Sequence, residues 1–325
     1  MSLEILSLKF DGIISKYRDE INHGLSKIYL KGPKSLVQPI QYVLEGSGKR
    51  LRPLLSIFTA ESCGGTKKDV FSAALAVEVL HNFTLVHDDI MDQDSIRHGK
   101  KTVHHKWDNG VAILTGDAML SLALKLLNQN HDLSYRQMKI FVDALLAVCE
   151  GQALDKEYET RNSISIDEYI NMIDLKTGYM LGLSAELGAI SAEKNMSICK
   201  NLRDYGCLVG RAFQIQDDYL ELFSNSSNMG KSLKSDIVLG KKTFLMIQAL
   251  EKDNDEINMA LELVKKDFNL GIKKIRIFMD SKGIKKNTEF EIENILHQAN
   301  EKIKHLPIDK DKILYFSKLI KNRGN

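Results

Sequence analysis

The chain has 325 residues, of which 43% are hydrophobic and 27% are charged, and its formal net charge at pH 7 is +2. This balance is typical of a globular protein, and the small net charge argues against a strongly basic nucleic-acid-binding protein, so no nucleic-acid partner is expected. Only four prolines occur, which favours long helices because proline breaks a helix interior.

The N-terminal segment indicates an amphipathic helix and not a signal peptide, because acids and bases are mixed among its apolar positions. No uncharged run reaches the ~18 residues that a bilayer span requires, so no membrane span is expected. The four cysteines lack the paired spacing of a metal site. They indicate reduced thiols in a cytoplasmic protein.

Apolar residues at helical spacing recur along the whole chain, and glycine-containing breaks separate the runs. No segment shows the alternation of a strand, and no repeat of fixed period is present. The sequence therefore predicts an all-α protein with a single domain over residues 1–325. The predicted helices span 4–28, 35–45, 50–62, 68–93, 110–128, 134–160, 166–190, 195–223, 241–251, 255–279, 289–303 and 310–322.

A cluster of basic residues follows the glycine turn at 46–48, where Lys49, Arg50 and Arg52 occur within four positions. Cations beside a flexible turn predict an anion site.

The helix predicted over 68–93 ends in an acid cluster, Asp88, Asp89 and Asp92. Asp88 and Asp92 lie about one turn apart and therefore share a helix face. Arg97 would point away from these acids on a continuing helix. The segment 93–99 is therefore predicted to turn and bring Arg97 back.

A second acid cluster, Asp217, Asp218 and Glu221, repeats this arrangement on the helix predicted over 195–223. Each cluster follows an apolar turn, where unpaired carboxylates would be costly unless a cation compensates them. Oxygen ligands favour magnesium over zinc. The two clusters are therefore expected to face each other and to bind a magnesium-bridged diphosphate.

Further cations accompany the acids. Lys176 precedes Thr177 and Gly178 in the middle of a predicted helix, and Lys231 and Lys241 follow the second cluster in the chain. These positions predict contacts with the remaining diphosphate oxygens.

Together these motifs resemble the trans-isoprenyl diphosphate synthases, the head-to-tail polyprenyl synthetases. The resemblance runs in order from about residue 40 to 245. Its motifs are residues 48–53, the first acid cluster with Arg97 and Gly99, Lys176-Thr177, and residues 213–218.

The resemblance implies the isoprenoid synthase fold, with antiparallel helices around a deep central cavity, and a homodimer. The implied reaction joins isopentenyl diphosphate to an allylic diphosphate through an allylic cation. The implied cofactor is magnesium, with three ions per site when substrate is bound. The implied metal residues are Asp88, Asp89, Asp92, Asp217, Asp218 and Glu221, of which Asp88, Asp92 and Asp217 hold the ions directly and Asp155 lies nearby.

The resemblance also implies the substrate contacts. The allylic diphosphate is held by Arg97, Lys176 and Lys241, with Lys231 as a further cation. Isopentenyl diphosphate is held by Lys49, Arg52 and His81, while Thr177 and Gln214 direct oxygen atoms at the developing cation.

Three positions depart from the family pattern. His98 stands where a second arginine is usual, which predicts weaker or pH-dependent binding of isopentenyl diphosphate. Glu221 replaces an aspartate, and Lys234 replaces a glycine in the loop before Ser235.

Product length in the family depends on the side chains just before the first acid cluster. Phe83 lies five residues before Asp88, which is about 7.5 Å along a helix axis, and Thr84 is small. This combination predicts the twenty-carbon geranylgeranyl diphosphate, with the fifteen-carbon farnesyl diphosphate as the second choice.

Three other functions share some of these residues. A terpene cyclase would need the acid cluster but not the basic residues at 49–52. A phosphohydrolase built on His81, His87 and His104 would leave the second acid cluster unused. A non-catalytic partner subunit of a prenyl synthase would typically have lost its acids, whereas this chain keeps both clusters.

Overall fold

A computed structural model describes residues 3–46, 48–129, 133–223 and 241–322, and helices make up almost all of its regular structure, which confirms the all-α prediction. The helices are α1 Leu3–Ser26, α2 Lys34–Leu44, α3 Leu51–Ser62, α4 Lys67–Met91, α5 Val103–Lys106, α6 Asn109–Leu127, α7 Ser134–Thr160, α8 Ile166–Ile173, a π-helix Asp174–Gly178, α9 Tyr179–Ser191, α10 Met196–Phe223, α11 Phe244–Lys252, α12 Asn254–Lys266, α13 Phe268–Ser281, α14 Ile284–Ile303 and α15 Asp311–Lys321.

The contacts within the chain group the residues into two compact units. Unit 1 comprises Met1–Val142, Leu183–Arg203 and Leu306–Tyr315, and unit 2 comprises Asp143–Gly182, Asp204–His305 and Phe316–Asn325. The single domain over 1–325 stays a prediction.

The core of unit 1 forms around α4. A capping box between Thr66 and Asp69 satisfies backbone groups at the start of this helix, and every residue from Ala73 to Leu80 is buried. Helix α3 contributes further buried residues, including Phe58. This core holds the last turn of α4, where the first acid cluster lies.

Among the helices of the described residues, two, α4 and α6, are long and apolar enough to cross a membrane when judged by length and composition. Most of the apolar window of α4 is buried, whereas only 33% of the corresponding window of α6 is. The exposed side of α6 includes Ile113 and Leu114.

Unit 2 contains a second core in which α11 to α14 pack together through Leu245, Ile257, Ile275 and other buried side chains. The prediction of one helix over 255–279 is wrong, because α12 ends at Lys266 and α13 begins at Phe268, with Asp267 between them. This residue leaves helical geometry and its carboxylate accepts a hydrogen bond from the backbone N–H of Leu270, which caps α13.

The segment between α4 and α6 also differs from the predicted loop. It contains a short antiparallel hairpin of β1 Ile96–Arg97 and β2 Lys100–Lys101, followed by α5. Gln93, His98 and Gly99 have positive φ angles of 55°, 50° and 77°. These residues produce the turns that reverse the chain.

Candidate active site

The first acid cluster occupies the end of α4. Asp88 and Asp89 lie in the last turn, and Asp92 caps the helix by donating its backbone N–H to the carbonyl oxygen of Asp88 at 2.8 Å. Asp89 is buried, whereas Asp88 and Asp92 are half-buried. A helix C-terminus carries partial negative charge, so three carboxylates at this position favour binding of a cation.

Arg97 returns to this cluster, as predicted. The hairpin places its guanidinium against Asp89, with Nε donating to Oδ1, while Nη2 lies 3.3 Å from Oδ2 of Asp94. Burial raises the pKa of Asp89 to about 6, although the charge of Arg97 opposes this shift. The Asp89 carboxylate is therefore already held by a protein cation, while Asp88 and Asp92 are more open to solvent.

The basic residues after the glycine turn have different roles. Arg50 is buried, and it donates to Glu78 Oε1 at 2.7 Å, to Asn22 Oδ1 at 2.9 Å and to two backbone carbonyls. The expectation that Arg50 contributes to an anion site is therefore wrong, since its guanidinium stabilises the turn before α3. Lys49 is exposed and Arg52 is half-buried on either side of it.

Two of the residues predicted to hold isopentenyl diphosphate, Arg52 and His81, lie near each other in unit 1. The ring of His81 is within electrostatic reach of Arg52, Arg97 and His98. Desolvation of the ring and these neighbouring charges hold the pKa of His81 well below its ordinary value. His81 is therefore neutral at pH 7, and the positive charge around it comes from neighbouring arginines.

Phe83 lies one turn before the acids and is 8% exposed. Its ring packs edge-on against His87, with 4.8 Å between the ring centroids. The His87 ring in turn contacts α6 at Gly116, where an added Cβ would lie 2.1 Å from Nε2. Thr84 donates its hydroxyl to the carbonyl oxygen of His81 at 2.8 Å.

The second acid cluster lies on α10 in unit 2 and is organised around Asp218. This buried carboxylate accepts hydrogen bonds from the Tyr169 hydroxyl at 2.5 Å, from the Phe244 backbone N–H at 3.1 Å and from Gln214 Nε2 at 3.2 Å. Burial raises the pKa of Asp218 to about 6. Asp217 and Glu221 are only half-buried.

The other predicted residues of unit 2 lie close to this cluster. The Thr177 hydroxyl donates to Gln214 Oε1 at 3.1 Å, so Thr177, Gln214 and Asp218 form one hydrogen-bonded chain. Lys176 Nζ lies 2.7 Å from Asp155 Oδ2. Asp155 and Lys241 line a small cavity together with Tyr158, Glu159, Ile164, Met172 and Lys242.

Lys231, Lys234 and Ser235 lie outside the described residues. Within the described ranges, no group of three or more His, Cys, Asp or Glu side chains converges on one point. Magnesium tolerates such an arrangement, because it keeps several water ligands and binds substrate phosphates alongside one or two carboxylates. The carboxylate oxygens of the two clusters fit this ion.

Sequence reasoning missed several polar side chains of unit 2. Tyr169 holds Asp218, and an ion pair joins Asp174 to Arg211. Gln152 is 7% exposed, and neither polar atom of its amide has a hydrogen-bond partner among the described residues. Its position three residues before Asp155, on the same helix face, was the available signal.

Comparisons with known proteins agree with this picture. The family model described as polyprenyl synthetase matches residues 33–278. A geranylgeranyl diphosphate synthase of Saccharolobus solfataricus is 38% identical over 261 residues, which are 79% of this chain and 77% of that protein. A short chain isoprenyl diphosphate synthase of Methanothermobacter thermautotrophicus is 36% identical over 250 residues, covering 75% and 76% of the two chains.

A solved structure shows the same fold. The crystal structure of a geranylgeranyl pyrophosphate synthetase from Pyrococcus horikoshii is 31% identical in sequence and superposes with a TM-score of 0.88. The superposition covers 97% of this chain and 99% of that one.

Proposed function

The chain belongs to the polyprenyl synthetase family of prenyltransferases, and from this premise we propose that it condenses isopentenyl diphosphate head to tail with an allylic diphosphate to give mainly geranylgeranyl diphosphate. The observation that carries the proposal is the end of α4. There, Asp88 and Asp92 belong to the same cluster as Asp89, whose carboxylate binds Arg97, so that carboxylates for a metal and a cation for phosphate oxygens occur together.

Magnesium is the proposed cofactor, and Asp88, Asp92 and Asp217 would hold it. When bound, it supplies positive charge that stabilises the departing diphosphate. Arg97 and Lys176 add positive charge for the same purpose, because guanidinium and ammonium groups bind phosphate oxygens strongly. Asp89 and Asp155 orient these two cations, since each already accepts a hydrogen bond from one of them.

The developing allylic cation needs an environment that stabilises positive charge without supplying a nucleophile. Gln214 Oε1 and the Thr177 hydroxyl are neutral oxygen dipoles held in one hydrogen-bonded chain. Such fixed dipoles can stabilise a cation without reorganising. Arg52, with Lys49 and neutral His81, would bind isopentenyl diphosphate, whose double bond attacks that cation. The proton is then lost, and the departing diphosphate is the proposed acceptor.

The twenty-carbon product is proposed because Phe83 is a buried aromatic one turn before the acids, followed by the small Thr84. Farnesyl diphosphate is the second candidate. The similarity to the Saccharolobus solfataricus protein named geranylgeranyl diphosphate synthase supports the longer product.

We also propose a homodimer, because α6 exposes Ile113 by 47% and Leu114 by 62% and such an apolar face favours a partner surface. A cytoplasmic location is proposed as well. It is supported by the four cysteines, which are all reduced and form no disulfide.

Incubation with magnesium, labelled isopentenyl diphosphate and dimethylallyl, geranyl or farnesyl diphosphate tests this proposal. The expected result is elongation to the twenty-carbon alcohol after dephosphorylation, and its loss when a chelator removes the metal. Asp88→Asn is the matched inactive control. Absence of any elongated product would overturn the proposal, and release of a hydrocarbon would instead indicate a cyclase.

A further inference from the structure

We propose that the ion pair between Asp174 and Arg211 positions Lys176 and Thr177 for the allylic diphosphate, by holding the π-helix in register with α10. This inference rests on the proposed function, because it assigns a role in the reaction to the two side chains being positioned. Asp174 and Arg211 themselves are positioning residues, since their charged groups bind each other.

The π-helix is the element that needs such support. It spans Asp174–Gly178, and the backbone N–H of Tyr179 donates to the carbonyl oxygen of Asp174, five residues back. The turn therefore contains one residue more than an α-helical turn. A π turn inside a helix is rare, and those that exist are frequently found at functional sites. Surrounding contacts must stabilise such a turn against the regular helix.

Asp174 and Arg211 supply a contact of the required kind. Arg211 Nε lies 2.8 Å from Asp174 Oδ1, and Nη2 lies 2.5 Å from Oδ2. The two bonds are parallel and the side chains are only 28% and 25% exposed. A bidentate pair of this type fixes both distance and orientation, so it connects the first residue of the π-helix rigidly to α10.

The same stretch of α10 carries the groups that Lys176 and Thr177 must match. Arg211 lies three residues before Gln214 and six residues before Asp217. Gln214 accepts a hydrogen bond from the hydroxyl of Thr177. Because Arg211 and Gln214 lie about one turn apart on the same helix, holding Asp174 also sets the position of Thr177 relative to Gln214.

The backbone of the π-helix lies very close to two glycines of neighbouring helices. An added Cβ on Gly210 would lie 2.7 Å from the Cα of Gly178, and one on Gly151 would lie 2.5 Å from the backbone nitrogen of Lys176. The backbones of α7 and α10 therefore each pack directly against the backbone of the π-helix. A shift of the π turn would displace Lys176 and Thr177 with no intervening side chain to absorb it.

The test compares Asp174→Asn, Arg211→Gln and the double variant by steady-state kinetics with each substrate varied in turn. Each single variant is expected to raise the KM for the allylic diphosphate and to lower kcat about tenfold, while the KM for isopentenyl diphosphate changes less than twofold. The double variant should be no worse than either single one, because the pair acts as a unit. Arg211→Lys should recover part of the loss, since it keeps the charge but not the fork.

Glu61→Gln is the matched control. It breaks the ion pair between Glu61 and Lys312, which also joins two helices. The Lys312 side chain is 25% exposed and the Glu61 side chain 15%. This control should lower the melting temperature but leave both KM values unchanged. Equal changes in both KM values of Asp174→Asn, or a lower melting temperature with unchanged kinetics, would overturn the positioning role.

Calorimetric binding of farnesyl diphosphate in the presence of magnesium gives a second readout that does not require turnover. Weaker binding to Asp174→Asn than to the unmodified protein supports the inference, and equal binding contradicts it. A wild-type protein that binds the allylic diphosphate but elongates nothing would instead refute the proposed function. If Asp174→Asn does not fold, as judged by its helical circular dichroism, Arg211→Lys carries the same comparison.

Discussion

At the scale of single residues, Phe83 offers the most direct test of product length. Phe83→Ala removes a ring that is 8% exposed and packed on His87. We therefore expect this variant to make products longer than twenty carbons, which chromatography of the dephosphorylated products would detect. The same change should cost about 3–5 kcal/mol of stability because it leaves a cavity in the core.

Loss of stability alone must therefore be separated from a change in length. Phe58→Ala is the matched control, since Phe58 is fully buried in α3 of the same unit. It should destabilise the protein to a similar extent without altering the product. An unchanged product distribution in Phe83→Ala would show that Phe83 serves core packing alone.

His98 tests the binding of isopentenyl diphosphate. Partial burial and the nearby guanidinium of Arg97 lower the pKa of His98, so its ring is neutral at pH 7 and adds little attraction for a diphosphate. His98→Arg should lower the KM for isopentenyl diphosphate about fivefold, equivalent to ~1 kcal/mol for a solvent-accessible ion pair.

His98→Gln is the control, because it is neutral and should leave that KM unchanged at pH 7. If His98→Arg lowered only the KM for the allylic substrate, His98 would lie beside the allylic diphosphate and not beside isopentenyl diphosphate.

At the scale of helices, the tight turn between α12 and α13 tests the packing of unit 2. An added Cβ on Gly271 would lie 2.5 Å from the backbone nitrogen of Val264 and 2.6 Å from its Cγ2. Gly271→Ala should therefore lower the free energy of unfolding by about 1–3 kcal/mol, as overpacking does, in a urea titration.

Gly12→Ala in α1 is expected to raise the free energy of unfolding, because nothing lies within 4 Å of the added Cβ. Alanine has the higher helix propensity by about 1 kcal/mol, so this variant should be more stable. If Gly271→Ala were more stable than the unmodified protein, α12 and α13 would not approach as closely as the 2.5 Å distance from the added Cβ to the Val264 nitrogen requires.

The same turn shows what a periodic sequence can and cannot predict. Ile257, Ala260 and Val264 continue at helical spacing into Ile272 and Ile275 beyond Asp267, so periodicity predicts one helix there. The break depends on the Asp267 cap and on a close approach at Gly271, neither of which changes the spacing of apolar residues.

Candidate-site residues divide in a similar way. The acid clusters could be predicted because their members lie within one or two helical turns. The bond from Tyr169 to Asp218 joins residues 49 positions apart, and the Asp174–Arg211 pair joins residues 37 positions apart. A local pattern carries no information about such partners, since helix packing decides which of them meet.

At the scale of the whole molecule, the exposed face of α6 predicts its assembly. Leu114→Glu places a charge on a side chain that is 62% exposed, so it should not disturb the core. We expect it to convert a dimer to a monomer in light scattering, because an apolar interface does not accept an unpaired charge.

Asp117→Glu, at an exposed and already acidic position of the same helix, is the control and should leave the mass unchanged. A dimeric Leu114→Glu protein would exclude this face as the interface.

The proposed function also needs residues of both units, since Asp88 belongs to unit 1 and Asp217 to unit 2. Asp88→Asn and Asp217→Asn should each lower kcat by about 10²–10³-fold, the range for removing one group that stabilises developing charge. If both carboxylates act on the same leaving group, the loss of either removes much of the benefit of the other. The double variant should then fall far short of the product of the two single losses.

Asp88→Asn combined with Glu61→Gln is the control pair, because Glu61 pairs with Lys312 and lies outside the acid clusters. The two effects on kcat should simply multiply there. If the losses of Asp88→Asn and Asp217→Asn also multiply, the two clusters act on different groups or in different steps. One magnesium-bridged diphosphate could not then account for both clusters, because carboxylates that stabilise the same charge in the same step depend on each other for their effect.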